Sequence, residues 1–156
     1  MYYLYSSTKQ HEMEIVKEAF TLLNKENLTD EMVDEAFGLF GKVFDKDCLK
    51  QIRKGFKNQL SMEQVGAYAK PEFTWKQMEE IRVGFEVGLS MEEVSVYANH
   101  DFTDAQMRQV RWGFQTGLSM EQVLVYAKPE FTRKQMEEMR VGVEDIPPHS
   151  CDFSHE

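Results

Sequence analysis

"FTWKQMEEIRVGFEVGLS", residues 73–90, returns as "FTDAQMRQVRWGFQTGLS" at 102–119 and, shortened, as "FTRKQMEEMRVGVED" at 131–145. Phe44, Phe73, Phe102 and Phe131 are each 29 residues apart. A fixed period of this length marks an array of supersecondary units, none of which can bury its apolar face alone. The opening letters of each unit specify a helix start. With Thr74 as N-cap, Gln77 closes a capping box while Phe73 and Met78 form a hydrophobic staple. Phe102-Thr103 with Gln106 and Met107, and Phe131-Thr132 with Gln135 and Met136, repeat the device. The first copy caps with Asp45 and puts Cys48 in the Gln place. Each cap is worth about 1 kcal/mol.

The second half of the unit uses the same grammar. Leu60-Ser61 with Gln64 and Val65, Leu89-Ser90 with Glu93 and Val94, and Leu118-Ser119 with Gln122 and Val123 are further staples and boxes. Glu63, Glu92 and Glu121 fall in the first turn, where the helix dipole favours negative charge. Gly88 and Gly117 suit the left-handed residue that ends the helix before. A unit is therefore a helix of about 13 residues, a tight turn and a helix of about 8, with Pro71 and Pro129 marking the exit. "HEMEIVKEAF" aligns under "KQMEEIRVGF", setting Met13, Val16, Lys17, Ala19 and Phe20 beneath Met78, Ile81, Arg82, Gly84 and Phe85. Leu28-Thr29 then restarts a helix.

The expected fold is all-α: a short, right-handed-type α-solenoid of about four and a half helical hairpins with a 29-residue repeat. Residues 1–145 form one helical-repeat domain. Its parts are a diverged capping unit at 1–43, full repeats at 44–72, 73–101 and 102–130, and a half repeat at 131–145, followed by a flexible tail at 146–156. Met78, Ile81 and Phe85 should meet Val94, Tyr97 and Ala98 in the core, as should their counterparts.

Four glycines inside the long helices, Gly55, Gly84, Gly113 and Gly142, each cost about 1 kcal/mol against alanine and imply close approach of a neighbouring helix. Arg53, Arg82, Arg111 and Arg140 are expected to pair with Glu63, Glu92 and Glu121 in a structural ladder. Tyr68, Tyr97 and Tyr126 are expected in the core with their hydroxyls in water.

Stacking leaves other positions free to vary, and in the long helices these fall on one face. They are Lys46, Lys50, Lys54 and Lys57; Trp75, Glu79, Val83 and Glu86; Asp104, Arg108, Trp112 and Gln115; and Arg133, Glu137, Val141 and Glu144. Together they should make one surface running from basic to mixed. Its two tryptophans stand out, because Trp is enriched at binding hot spots.

A net charge of −9 opposes direct binding to nucleic acid phosphates, although residues 44–72 are net basic. The two cysteines give no disulfide framework. No leader or membrane-length apolar run is present, so a cytoplasmic protein is expected. There is no glycine-rich phosphate loop, no His-Glu-x-x-His and no Cys-x2-Cys. His149, Cys151 and His155 could ligate a metal, but a mobile tail is the preferred reading. No cofactor, metal or catalytic residue is assigned, and the chain is read as a non-enzyme.

Gln77-Met78-Glu79-Glu80-Ile81-Arg82-Val83-Gly84, Gly88-Leu89 and Val96-Tyr97-Ala98 resemble a short helical repeat of uncharacterised bacterial proteins, some of them associated with mobile elements. The resemblance covers residues 44–145 and implies no transferable activity. Unit one departs from it at Cys48 and Gln59. The expected function is a non-enzymatic protein-interaction module presenting its variable face to another protein. The alternative is a small acidic inhibitor of a nucleic-acid enzyme, of anti-CRISPR or DNA-mimic type. An apolar edge on the last half repeat, around Met139 and Val143, adds self-association to the expected contacts.

Overall fold

The computed structural model describes residues 2–145, with side chains from residue 8 onward. Every regular element among them is a helix: α1 (Tyr2–Leu23), α2 (Asp30–Phe40), α3 (Lys46–Lys57), α4 (Met62–Tyr68), α5 (Trp75–Glu86), α6 (Met91–Ser95), α7 (Asp104–Gln115), α8 (Met120–Tyr126) and α9 (Arg133–Glu144). The protein is all-α. The candidate metal ligands of the tail, His149, Cys151 and His155, lie outside the described residues.

The starts are those that the capping letters specify. In α7, Thr103 is extended at φ −70°, ψ 163°, its hydroxyl accepts from the Gln106 N–H, and the Gln106 side chain accepts in turn from the Thr103 N–H. Ser61, Ser90, Ser119 and Thr132 make the same reciprocal pair. Thr74 and Gln77 do so ahead of α5. Asp45 accepts from the Cys48 N–H at 2.9 Å, but a thiol is too short and too weak an acceptor to return the bond. Thr29 caps α2 as the Leu28-Thr29 reading requires.

The long helices stop by a left-handed residue. Gly117 has φ 95°, and the Leu118 N–H reaches back to the Gly113 carbonyl at 3.0 Å, satisfying a carbonyl the helix leaves open. Gly88 has the same conformation at φ 96°. The corresponding residue of the first repeat is Gln59, at φ 67°, where a side chain is disfavoured.

The described residues divide into two compact bodies, residues 2–86 and 87–145. The boundary falls at the turn between α5 and α6, inside the sequence unit 73–101. In the first body α1 packs on α2, and α3, α4 and α5 pack on one another. Phe20 meets Phe40 at 5.2 Å and Phe56 at 6.5 Å, and Phe37 meets Phe56 at 6.2 Å, so phenylalanines join the α1–α2 hairpin to α3. Each buried ring contributes about 1.5–3 kcal/mol. Ile52, Val65, Met78, Ile81 and Phe85 complete this core.

In the second body α7, α8 and α9 pack pairwise, burying Met107, Val110, Phe114, Val123, Tyr126 and Met136. One aligned position departs from its counterparts. Met13 lies under Met78 in sequence, yet it is 48% exposed while Met78 and Met136 are fully buried. Both α5 and α9 pack on the long helix before them, whereas among the described residues the Met13 side of α1 is exposed.

Candidate interaction surface

The positions that repeat build the joints, and each body shows how. Tyr68 and Tyr126 are completely buried, and their hydroxyls donate to the Gln51 carbonyl at 2.8 Å and the Gln109 carbonyl at 3.3 Å. These are carbonyls of the long helix in the same hairpin. The ring gets there because residues 55 and 113 have no side chain. A Cβ on Gly55 would overlap the Tyr68 hydroxyl, and one on Gly113 the Tyr126 hydroxyl.

Close approach, by a tyrosine of the same hairpin, thus explains Gly55 and Gly113 but not Gly142, where a Cβ would meet nothing, and the expectation of wet phenols is corrected for Tyr68 and Tyr126, whose hydroxyls are dry and bonded to backbone. Burial pushes both phenols well above their ordinary value of 10, against the opposing pull of Arg82 on Tyr68 and Arg140 on Tyr126.

The arginine ladder also differs from expectation. Arg82 donates through Nε to the buried Gln51 side chain at 3.0 Å and through Nη1 to both oxygens of Glu86, at 2.6 and 2.7 Å. Asn58, which ends α3, donates to the same Glu86 at 2.8 Å. The second body repeats the circuit. Arg140 reaches Gln109 at 3.1 Å and Glu144 at 2.6 Å, and Thr116, which ends α7, reaches Glu144 at 3.3 Å.

The acid used is therefore the residue four positions on in the same helix, where the two side chains are neighbours, and not Glu92 or Glu121. Arg53 has Lys57 at that place and instead lies over the Phe37 ring at 4.2 Å. Arg111 bonds Gln115. Glu86 and Gln115, on the expected variable face, are exposed and each is held by an arginine of its own helix.

The remaining variable positions are spread along the long helices. Lys46, Lys50 and Lys57 are exposed and Lys54 half-buried on α3. Trp75 is 37% exposed, with the Lys76 ammonium 5.7 Å from its ring, and Glu79 and Val83 are half-buried. In the second body Trp112 is 39% exposed, with the Arg140 guanidinium 5.8 Å from the ring, and Arg108 is exposed.

Apolar surface missed in the sequence lies on α8. Leu124 and Val125 are 47% and 49% exposed. Their signal was there to be read, because the same places hold Gly66-Ala67 and Ser95-Val96, and so vary as freely as the long-helix positions do.

No family model, curated protein or solved structure matches the chain. Among the described residues no group of His, Cys, Asp and Glu could hold a metal ion, and no helix is long and apolar enough to cross a membrane. A surface depression is bordered by Phe20, Thr21, Asn24, Lys25, Met62 and Glu63. It gathers no nucleophile-and-base pair. Cys48 is buried beneath its own cap. Burial, then the Asp45 carboxylate, pushes its thiol up to about 12, so at neutral pH it stays protonated and unreactive.

Proposed function

We propose that the protein is a non-enzymatic interaction module, a short solenoid of 29-residue hairpins that offers the variable positions of its long helices to another protein. The supporting observation is the division of labour between repeated and varied letters. Gly55, Tyr68, Gln51 and Arg82 in the first body, and Gly113, Tyr126, Gln109 and Arg140 in the second, are consumed in joints, whereas Trp75 and Trp112 keep more than a third of their surface open. A half-exposed indole beside a cation is a large apolar contact with a polar edge, the type of residue that anchors interfaces. Exposed Leu124 and Val125 add apolar area in the second body.

The test is affinity capture with the intact chain against Trp75→Ala and Trp112→Ala, with circular dichroism run on each. Loss of the captured protein from variants that keep full helicity supports the reading. Retention of every captured protein, or unfolding of both variants, contradicts it. An acidic inhibitor of a nucleic-acid enzyme is the second reading, favoured by the net charge of −9. Capture of a nuclease, released as salt is raised, would select it.

A further inference from the structure

We propose that the chain associates head to tail with a second copy of itself, α1 of one copy docking on α9 of the next through the kind of joint that α3–α5 and α7–α9 make internally. The inference is independent of the partner-binding face. It rests on the two ends, which carry complementary halves of that joint.

At the far end α9 is half covered. On α7 the residues Gln106, Gln109, Val110, Gly113 and Phe114 are all buried. Their counterparts on α9 are open: Gln135, Glu138 and Gly142 are exposed, and Met139 and Val143 only half-buried. The coverage of α7 comes from identifiable groups. Tyr126 of the same hairpin fills the space at Gly113, whereas from the side of the next long helix Arg140 bonds Gln109 and the Gln106 amide donates to the carbonyls of Pro129 and Phe131. A Cβ on Gly142 would meet nothing within 4 Å.

The near end has the opposite deficiency. Met78 and Met136, with Arg82 and Arg140, are buried or nearly so on helices packed against a preceding long helix. The aligned residues of α1, Met13 and Lys17, are exposed. Lys9, Met13 and Lys17 are four residues apart and so share one side of α1, along a shallow groove.

Charge makes the match specific. The residue that receives the arginine in the internal joints is Gln51 or Gln109, whereas at the open end it is the carboxylate of Glu138. The residue that would reach for it from a second copy is Lys17. Contact between two different surfaces is heterologous and builds rings or open chains rather than a two-fold dimer.

The experiment is light scattering of the full chain over a wide concentration range, for the native protein, Lys17→Glu, Glu138→Lys and an equal mixture of the two variants. The native mass should rise with concentration, and each single reversal should weaken association by about tenfold or more through like-charge contact. The mixture should recover it, because each Glu then faces a Lys. A native protein that stays monomeric throughout, single variants that associate unchanged, or a mixture that does not recover overturns the proposal. Should a reversal disturb helicity, Met13→Asp provides an independent block on α1, because Met13 holds the place of the buried Met78 and Met136, and unaltered association of that variant overturns the proposal equally.

Discussion

For single residues, the recurring fact is a tyrosine that ends inside the neighbouring helix. The Tyr68 hydroxyl shares the Gln51 carbonyl with the helical N–H four residues on, and Gly55 leaves the room. Tyr68→Phe should lower the unfolding free energy by about 0.5–1.5 kcal/mol, the net worth of one hydrogen bond. The measurement that isolates the contact is a double-mutant cycle by urea unfolding. Gly55→Ala should cost less in the Tyr68→Phe background than alone, because the overlapping oxygen is gone. Equal costs in both backgrounds would mean that the glycine serves something else. The pairing has a natural variant in the first hairpin. Alignment puts Ala19 in the glycine place and Ala36 in the tyrosine place, and both are fully buried. In this hairpin the large ring and the glycine are both absent.

Among elements, the decisive feature is how one long helix holds the next. Met and Ile pack the contact, and the polar circuit sets its register: a buried glutamine side chain on one helix, an arginine on the following one, and a glutamate that the arginine shares with the end of the first. Arg140→Met keeps most of the apolar stem but leaves the Gln109 side chain, 2% exposed, without its donor. A stability loss of about 1–3 kcal/mol is expected from that unsatisfied group. Arg133→Met, at the exposed start of the same helix, should change stability by less than about 0.5 kcal/mol. Similar losses in the two variants, compared by thermal melts, would remove the circuit from its role. These circuits were only half readable in the sequence. That Arg82 and Arg140 recur was plain, but their acid was sought one helix away, among Glu63, Glu92 and Glu121. The sequence does not mark Glu86 and Glu144 as those acids, because their column also holds Lys57 and Gln115.

Over the whole molecule, the helices, their caps and their order were readable because capping boxes and staples are local in sequence. Side-chain fate at the ends was not, because burial depends on whether a neighbour arrives: Met13 carries the same letter as Met78 and is exposed, and Gly142 carries the same letter as Gly113 and faces empty space. Exposure of Trp75 and Trp112 follows from the variable positions of the long helices, whereas that of Leu124 and Val125 follows from variation in the short one.

Three buried acids also give the fold a common pH response. Cys48, Tyr68 and Tyr126 all hold their protons more tightly when folded than their ordinary values of 9 and 10 imply. Their contribution is complete below those values and is lost as the pH rises past them, because the unfolded chain ionises first. Unfolding free energy should accordingly be level near neutrality and fall from about pH 9 upward. A constant value through pH 11 would place these groups in water.

The most direct measurement compares Gly113→Ala with Gly142→Ala by equilibrium urea unfolding at low protein concentration. The first glycine receives a tyrosine and the second receives nothing. Gly113→Ala should therefore lose about 1–3 kcal/mol through overpacking, while Gly142→Ala should gain up to about 1 kcal/mol of helix propensity. Shifts of the same sign and size at both positions would contradict hairpins built around a tyrosine seated on the glycine of their own long helix.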